Sequence, residues 1–228
     1  MSCLAIIPAR SGSKGLPDKN IKVLGDKPLI GWTIDASKES GCFDEIMVST
    51  DSEEYGRIAR NLGANVPFLR SAETSCDTAS SWDMVREVLK CYDNIGKRFD
   101  GFCLLQPTSP FRNAEDIKGA FSLMKEKQAK AVVSVCECEH SPLWSGNLPD
   151  SLSMDGFITK TAMEQRQKQS KFFRLNGAIY LMDTDGFLKG RELYGAGTFA
   201  YIMKNENSVD IDSALDFEYA AFIASRKN

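Results

Sequence analysis

The 228-residue chain holds a single histidine, no surplus of positive charge, and no apolar run near the roughly 18 residues that a membrane span needs. Each shortage excludes a class of function. With 28 Lys and Arg against 31 Asp and Glu, the net charge is −3, and general nucleic-acid binding usually needs a basic surface. A local basic pocket for phosphates remains open. No basic stretch precedes the short apolar run at the N-terminus, so MSCLAIIPARSG does not read as a signal peptide. The expectation is a cytoplasmic protein with no membrane partner. No internal repeat or low-complexity tract is present. With 43% hydrophobic and 26% charged residues, the composition is that of one ordinary globular domain.

Seven cysteines, at 3, 42, 76, 91, 103, 136 and 138, are odd in number and scattered. With no secretion signal they read as reduced thiols. Cys136 and Cys138 stand two residues before His140, which suggests a metal clip. No second Cys or His cluster completes a tetrahedral zinc site, so the preferred reading is a strand end with two thiols on one face.

Short apolar runs alternate with helical patterns through residue 135. CLAIIPA (3–9), EIMVST (45–50), Val66 to Leu69, GFCLLQ (101–106) and AVVSV (131–135) read as strands. KPLIGWTIDASK, with Pro28 at the first helical position, the stretch after Ser52, TASSWDMVREVLKCY (78–92) and AEDIKGAFSLMKEK (114–127) read as helices. Such alternation predicts an α/β fold whose largely parallel sheet is covered by helices on both faces. Ligands then bind outside the carboxyl ends of the strands. After residue 136 the alternation stops for about 40 residues rich in Pro, Gly, Ser, Gln and basic side chains. GAIYLMD (177–183) resumes a strand, and SALDFEYAAFIAS (213–225) reads as a closing amphipathic helix.

Four constellations can carry chemistry. The loop Arg10 to Asn20, directly after the first strand, combines Gly12 and Gly15 with Arg10, Lys14 and Lys19. Glycines admit backbone N–H groups close to a ligand and the cations suit a triphosphate. The loop is neither a Walker A sequence nor a G-x-G-x-x-G fingerprint. Near the other end, Asp210 and Asp212 alternate, so both carboxylates can face one cation, magnesium by preference. Asp212 or Ser213 can equally cap the last helix. Leu105 to Arg112 (LQPTSPFR) follows a buried strand and falls at the ligand edge, or is a plain turn. Arg166 and Arg174 can hold a carboxylate in bidentate fashion, or are solvated charges.

Taken in order, IIPARSGSKGLPDKN, STDS, SCDTASS, LLQPTSPFR, RLNGAIY and SVDIDS resemble the cytidylyltransferases that activate nine-carbon keto-sugar acids, the CMP-N-acetylneuraminate synthetase family. The resemblance runs from residue 4 to about 216. It implies a nucleotide-diphosphosugar transferase-like fold, with a mixed, mostly parallel central sheet flanked by helices. It also implies a single domain over 1–228 with a dimerisation insertion at about 137–176, and a homodimer. The implied reaction joins CTP to a sialic acid, giving the CMP-sugar and pyrophosphate with Mg2+ as cofactor. By position, Arg10, Ser13, Lys14, Gly15, Asn20, Arg70 and Ser81 match the nucleotide site. Gln106, Arg166, Arg174 and Tyr180 match the sugar site, and Asp210 and Asp212 the metal pair. Arg10, Lys14 and Asp212 are the expected catalytic groups. One departure is Trp144, where some relatives that use N-acetylneuraminate carry lysine. It opens legionaminic acid or another nonulosonic acid as an alternative substrate. A reading of another class is a nucleotide-binding sensor without catalysis.

Overall fold

The computed structural model describes residues 1–13, 15–158 and 171–226. Six strands form the main sheet: β1 (Cys3–Pro8), β4 (Glu45–Ser49), β5 (Gly101–Leu104), β6 (Ala131–Glu137), β7 (Phe173–Asp183) and β8 (Thr198–Ile202), in the order β4-β1-β5-β7-β6-β8. β1 pairs in parallel with β4 and β5, and β6 with β8, whereas β7 is antiparallel to both of its neighbours. One strand of the six therefore runs against the rest. A short hairpin, β2 (Val23–Leu24) with β3 (Lys27–Pro28), follows the first loop.

The sheet is apolar on both sides, so successive residues of β1 serve different layers. Cys3, Ala5 and Ile7 pack with α1 (Leu29–Ser40), α2 (Glu53–Asn61) and α5 (Ala114–Glu126). Leu4 and Ile6 pack with α4 (Ser81–Asn94) and with Phe187 of α6 (Thr184–Leu188). Between α2 and α4 in the chain lies α3 (Ala72–Ser75), a single turn. A third cluster joins Leu24, Leu29, Phe111 and Ile211 to α7 (Ala214–Ser225). It brings the last part of the chain against the segment that follows β1.

Several expectations shift. Val66 to Leu69 forms no strand, only a bridge from Asn65 to Met47. Pro67 has no N–H to give a ladder, and the segment is tied again only past β4, where the Arg70 N–H donates to the Thr50 carbonyl (2.8 Å). Pro28 lies just outside α1 as its N-cap rather than at its first helical position. Ser213 caps α7 in a reciprocal box with Asp216, which leaves Asp212 free for other work. The closing helix is not amphipathic: Phe217, Ala220 and Ala224 face the core, but Leu215, Tyr219 and Phe222 are exposed on its outer side. In the irregular stretch, β6 extends to Glu137 and β7 begins at Phe173, so strand pairing takes up both rims of the expected insertion. Its described interior holds one short turn of 3-10 helix, Pro142–Trp144.

Candidate active site

The site lies at the carboxyl ends of β1, β4 and β5. Residue 9 ends β1's ladder, the Ala9 N–H donating to the Ser49 carbonyl. The loop that follows is held by the segment after β4. Asp51 accepts from the Ser11 N–H (2.8 Å) and hydroxyl (3.0 Å). The neighbouring Ser52, not Asp51, caps α2, which frees the carboxylate for this task. Tyr55 donates its hydroxyl to Asp18, and the buried Asn20 donates its side-chain amide to the Arg10 carbonyl. The loop is thus tied at four points before any ligand arrives. Pre-tying lowers the ordering cost of binding.

Together these segments enclose a cleft of about 550 Å³, lined by Arg10, Ser13, Gly15, Lys19, Asn20, Arg70, Ser81, Gln106, Asp210 and Asp212 among others. Every expected site residue within the described residues lines it, except Arg174 and Tyr180. Lys14 and Arg166 lie outside the described residues. Tyr180 packs edge-to-face on Trp82 (5.6 Å between centroids), and burial raises its hydroxyl pKa. Arg174 is exposed near the start of β7, close enough to Asp210 to favour its ionised form. Both flank the cleft rather than line it, because β7 lies beyond β5 in the sheet.

The two ends of the chain meet here. A Cβ on Gly15 would stand 2.5 Å from the carbonyl oxygen of Asp212. Lys19 donates from Nζ to the Ile211 carbonyl (2.7 Å) and lies 3.4 Å from Asp212 Oδ1. Ile211 itself is fully buried and its N–H donates to the Thr108 carbonyl (2.9 Å). With Ile211 turned into the core, both carboxylates flanking it face the cleft. Desolvation by the cleft walls pushes the Asp210 carboxyl above its usual range, and the charge on Asp212 adds to this. Hydrogen bonding from Thr108 and the charges of Lys19 and Arg174 oppose the shift. Two carboxylates facing a space lined by cations are suited to sharing a divalent ion with phosphate oxygens.

On the opposite wall, Arg70 donates to the Ser49 hydroxyl (3.1 Å) and carbonyl (2.7 Å). Burial pulls its pKa down to about 10, still charged at neutral pH. Ser80 caps α4, so the positive end of that helix opens on the cleft beside Ser81. Sequence reasoning passed over Asp77, which pairs with Arg10 (3.0 Å), and Ser75, whose carbonyl accepts from Arg10 Nη1 (3.2 Å). It also passed over Cys76, an exposed cleft thiol whose pKa a Thr78 hydrogen bond lowers. SCDTASS carries all three, but which of its residues faces the loop depends on α3, too short for a periodic signal. Among the described residues, no group of three His, Cys, Asp or Glu is placed to hold a metal, and Cys136 is buried in β6.

A three-layer α/β fold thus places a cationic loop after its first strand and an acid pair across the same cleft, a geometry suited to phosphate groups. The chain matches the cytidylyltransferase family over residues 4–217 and belongs to it. It is 38% identical over 226 residues to an N-acylneuraminate cytidylyltransferase of Escherichia coli O18:K1:H7, covering 99% of this chain but 52% of that protein. The chain thus spans about half the length of that relative. It is also 36% identical to a CMP-N,N'-diacetyllegionaminic acid synthase of Legionella pneumophila, covering 95% of this chain and 94% of that one. Among solved structures, a CMP:2-keto-3-deoxy-manno-octonic acid synthetase complexed with CTP superposes along both whole chains with a TM-score of 0.75 at 14% identity. At that identity the likeness shows the shared fold.

The Gly15–Asp212 contact allows a direct test. Gly15→Ala forces a methyl against backbone, which cannot swing aside as a side-chain tip can. It is expected to lower catalytic efficiency by about tenfold or more through sub-ångström displacement, while the melting temperature changes little. Steady-state kinetics beside a thermal melt checks this, and wild-type kinetics would show that the loop and the acids work apart.

Proposed function

We propose that the protein is a nucleotidyltransferase that activates a nonulosonic acid with CTP, giving the CMP-sugar and pyrophosphate, with N-acetylneuraminate as the first candidate acceptor. The observation that carries this is the meeting of Arg10, Lys19, Asp210 and Asp212 in one cleft, from opposite ends of the chain. Arg10 and Lys19 offset phosphate charge, and Arg70 with the amino end of α4 bounds the nucleotide side. Gln106, at the end of β5, orients the anomeric hydroxyl for attack at the α-phosphorus. Asp210 and Asp212 would hold Mg2+, which supplies charge neutralisation for the departing pyrophosphate. Arg174 and Arg166 are the proposed partners of the sugar carboxylate. The protein is proposed to act in the cytoplasm as a homodimer joined through the segment after β6, which exposes Leu143, Leu148, Leu152 and Met154. No helix among the described residues is long and apolar enough to cross a membrane.

A second reading concerns the acceptor. Trp144, 39% exposed in the turn after β6, stands where the resemblance puts a lysine in some N-acetylneuraminate enzymes, and its apolar face would favour a less polar acid such as legionaminic acid. Pyrophosphate release across a panel of nucleotides and sugar acids decides between them. Turnover of CTP with N-acetylneuraminate supports the first reading. Turnover with legionaminic acid alone supports the second. CTP binding without turnover of any acid would leave the protein a sensor and sink both.

A further inference from the structure

Arg112 is the largest fully buried side chain, with 1% of its surface exposed, and no carboxylate lies at ion-pairing distance among the described residues. Its Nη1 donates to two carbonyls, those of Gln106 and Ala178, each at 3.2 Å. Its Nε and Nη2 have no hydrogen-bond partner among the described residues. Burial lowers its pKa to about 10, so it stays charged at neutral pH.

A buried guanidinium satisfied at only one nitrogen is a poor device for stability. An apolar side chain of similar volume commonly serves a core as well or better. Where a sequence breaks such a rule, the site it serves is the place to look. The two carbonyls belong to different segments of the sheet edge. Gln106 follows β5 at the ligand edge, and Ala178 lies in β7 directly after Gly177. Gly177 has φ +73°, and a Cβ there would stand 2.5 Å from Gln106 Oε1. The Gln106 amide therefore rests on the Gly177 backbone, in a notch that only glycine leaves open. The register of β7 against β6 shifts at this place, between Val133 and Val135. A bulged strand re-aims what it carries and needs to be held.

We propose that Arg112 is a positioning residue: its Nη1 fork locks the end of β5 to the bulge of β7 and so fixes the Gln106 amide toward the acceptor. Arg112 does not line the cleft. It acts through Gln106 alone. This rests on the cytidylyl-transfer reading for its kinetic consequence, but not for the clamp itself.

The test uses Arg112→Met and Arg112→Lys beside Gln106→Ala and the double variant Arg112→Met/Gln106→Ala. Arg112→Met is expected to bind CTP within about twofold of wild type in calorimetry, while kcat with the sugar acid falls at least about tenfold. Arg112→Lys keeps the charge but not the planar fork, and is expected to recover only part of that loss. The double variant is expected to be no slower than Gln106→Ala, because a residue acting through another adds nothing once that other is gone. Amide exchange should quicken around residues 105–109 and 177–179 and nowhere else. Wild-type kcat in both Arg112 variants, multiplying losses in the double variant, or exchange that rises throughout the sheet would each overturn the proposal. Where Arg112→Met does not fold, Arg112→Lys carries the same readouts. A wild-type protein that turns over no sugar acid overturns the function reading instead, and the exchange pattern still decides the clamp.

Discussion

Asp210→Asn is expected to lower magnesium-dependent turnover by about 100-fold or more while leaving the ligand-free protein at least as stable as wild type. The two effects have one cause. The Asp210 carboxyl is raised above its usual range by desolvation first and by the charge of Asp212 second. A raised folded-state pKa means the native protein holds its proton more tightly than the unfolded chain does. The stability linked to that proton is full below the unfolded value and lost as pH rises through the folded one. At neutral pH the ionised group therefore works against the ligand-free fold, and an amide of the same shape removes the penalty. A divalent cation reverses the balance by giving both carboxylates a partner, so the substitution strips function from the site without stripping support from it. Thermal melts at pH 7 without ligand, beside turnover across a magnesium titration, read the two halves separately. A variant that recovers full activity at saturating magnesium would show that Asp210 is no ligand. One that melts well below wild type would show that the carboxylate braces the fold.

The parts of the molecule that could be read in advance are those whose information is local. CLAIIPA could only be a buried strand, and it became the middle of the parallel half of the sheet. The loop after it could be read for its charge and its glycines. β8 escaped notice because TFAYI follows a glycine-bracketed stretch and leaves two of its five residues at intermediate exposure and three exposed, so no burial pattern marks it. Val66 to Leu69 misled because three apolar residues outweighed the one proline that forbids a ladder. The outer face of α7 misled in the opposite way. In sequence its apolar side chains read as one stripe, although Leu215, Tyr219 and Phe222 fall on the side away from the core.

The site divides along the same line. Asp210 and Asp212 were legible as a pair because a single residue of extended chain, Ile211, separates them. Whether they faced the phosphate loop was not, since Lys19 and Asp212 are 193 residues apart in sequence and 3.4 Å apart in space. Lys19 accordingly reads as a weaker candidate than Arg10 until the fold places it against the acid pair. Asp77 had no signal of its own, because an acid in a polar loop is ordinary and only its pairing with Arg10 distinguishes it. Arg112 lies within LQPTSPFR, yet burial is what makes it unusual, and burial of an arginine contradicts every local expectation for that residue.

Arg10→Ala carries the second large effect. Arg10 stands at the mouth of the loop after β1, its guanidinium aimed by the Ser75 carbonyl (3.2 Å) and the Asp77 carboxylate (3.0 Å). A charged group already aimed costs little reorganisation when negative charge builds on the transferring phosphate. Its removal is expected to lower kcat/KM for CTP by about 100- to 1,000-fold, with kcat carrying more of the loss than the affinity for the nucleotide. The KM for the sugar acid should move by no more than about threefold, because uniform binding of the acceptor is left intact. Arg10→Lys should recover only part of the rate, since an ammonium cannot hold Asp77, Ser75 and a phosphate oxygen with one planar fork. The fold should survive, because half-exposed ion pairs such as Arg10 with Asp77 add little to stability. A loss confined to sugar-acid affinity would place Arg10 on the acceptor side. In that case the cation that meets the α-phosphate would have to be Lys19, which already lies against the acid pair from within the same loop.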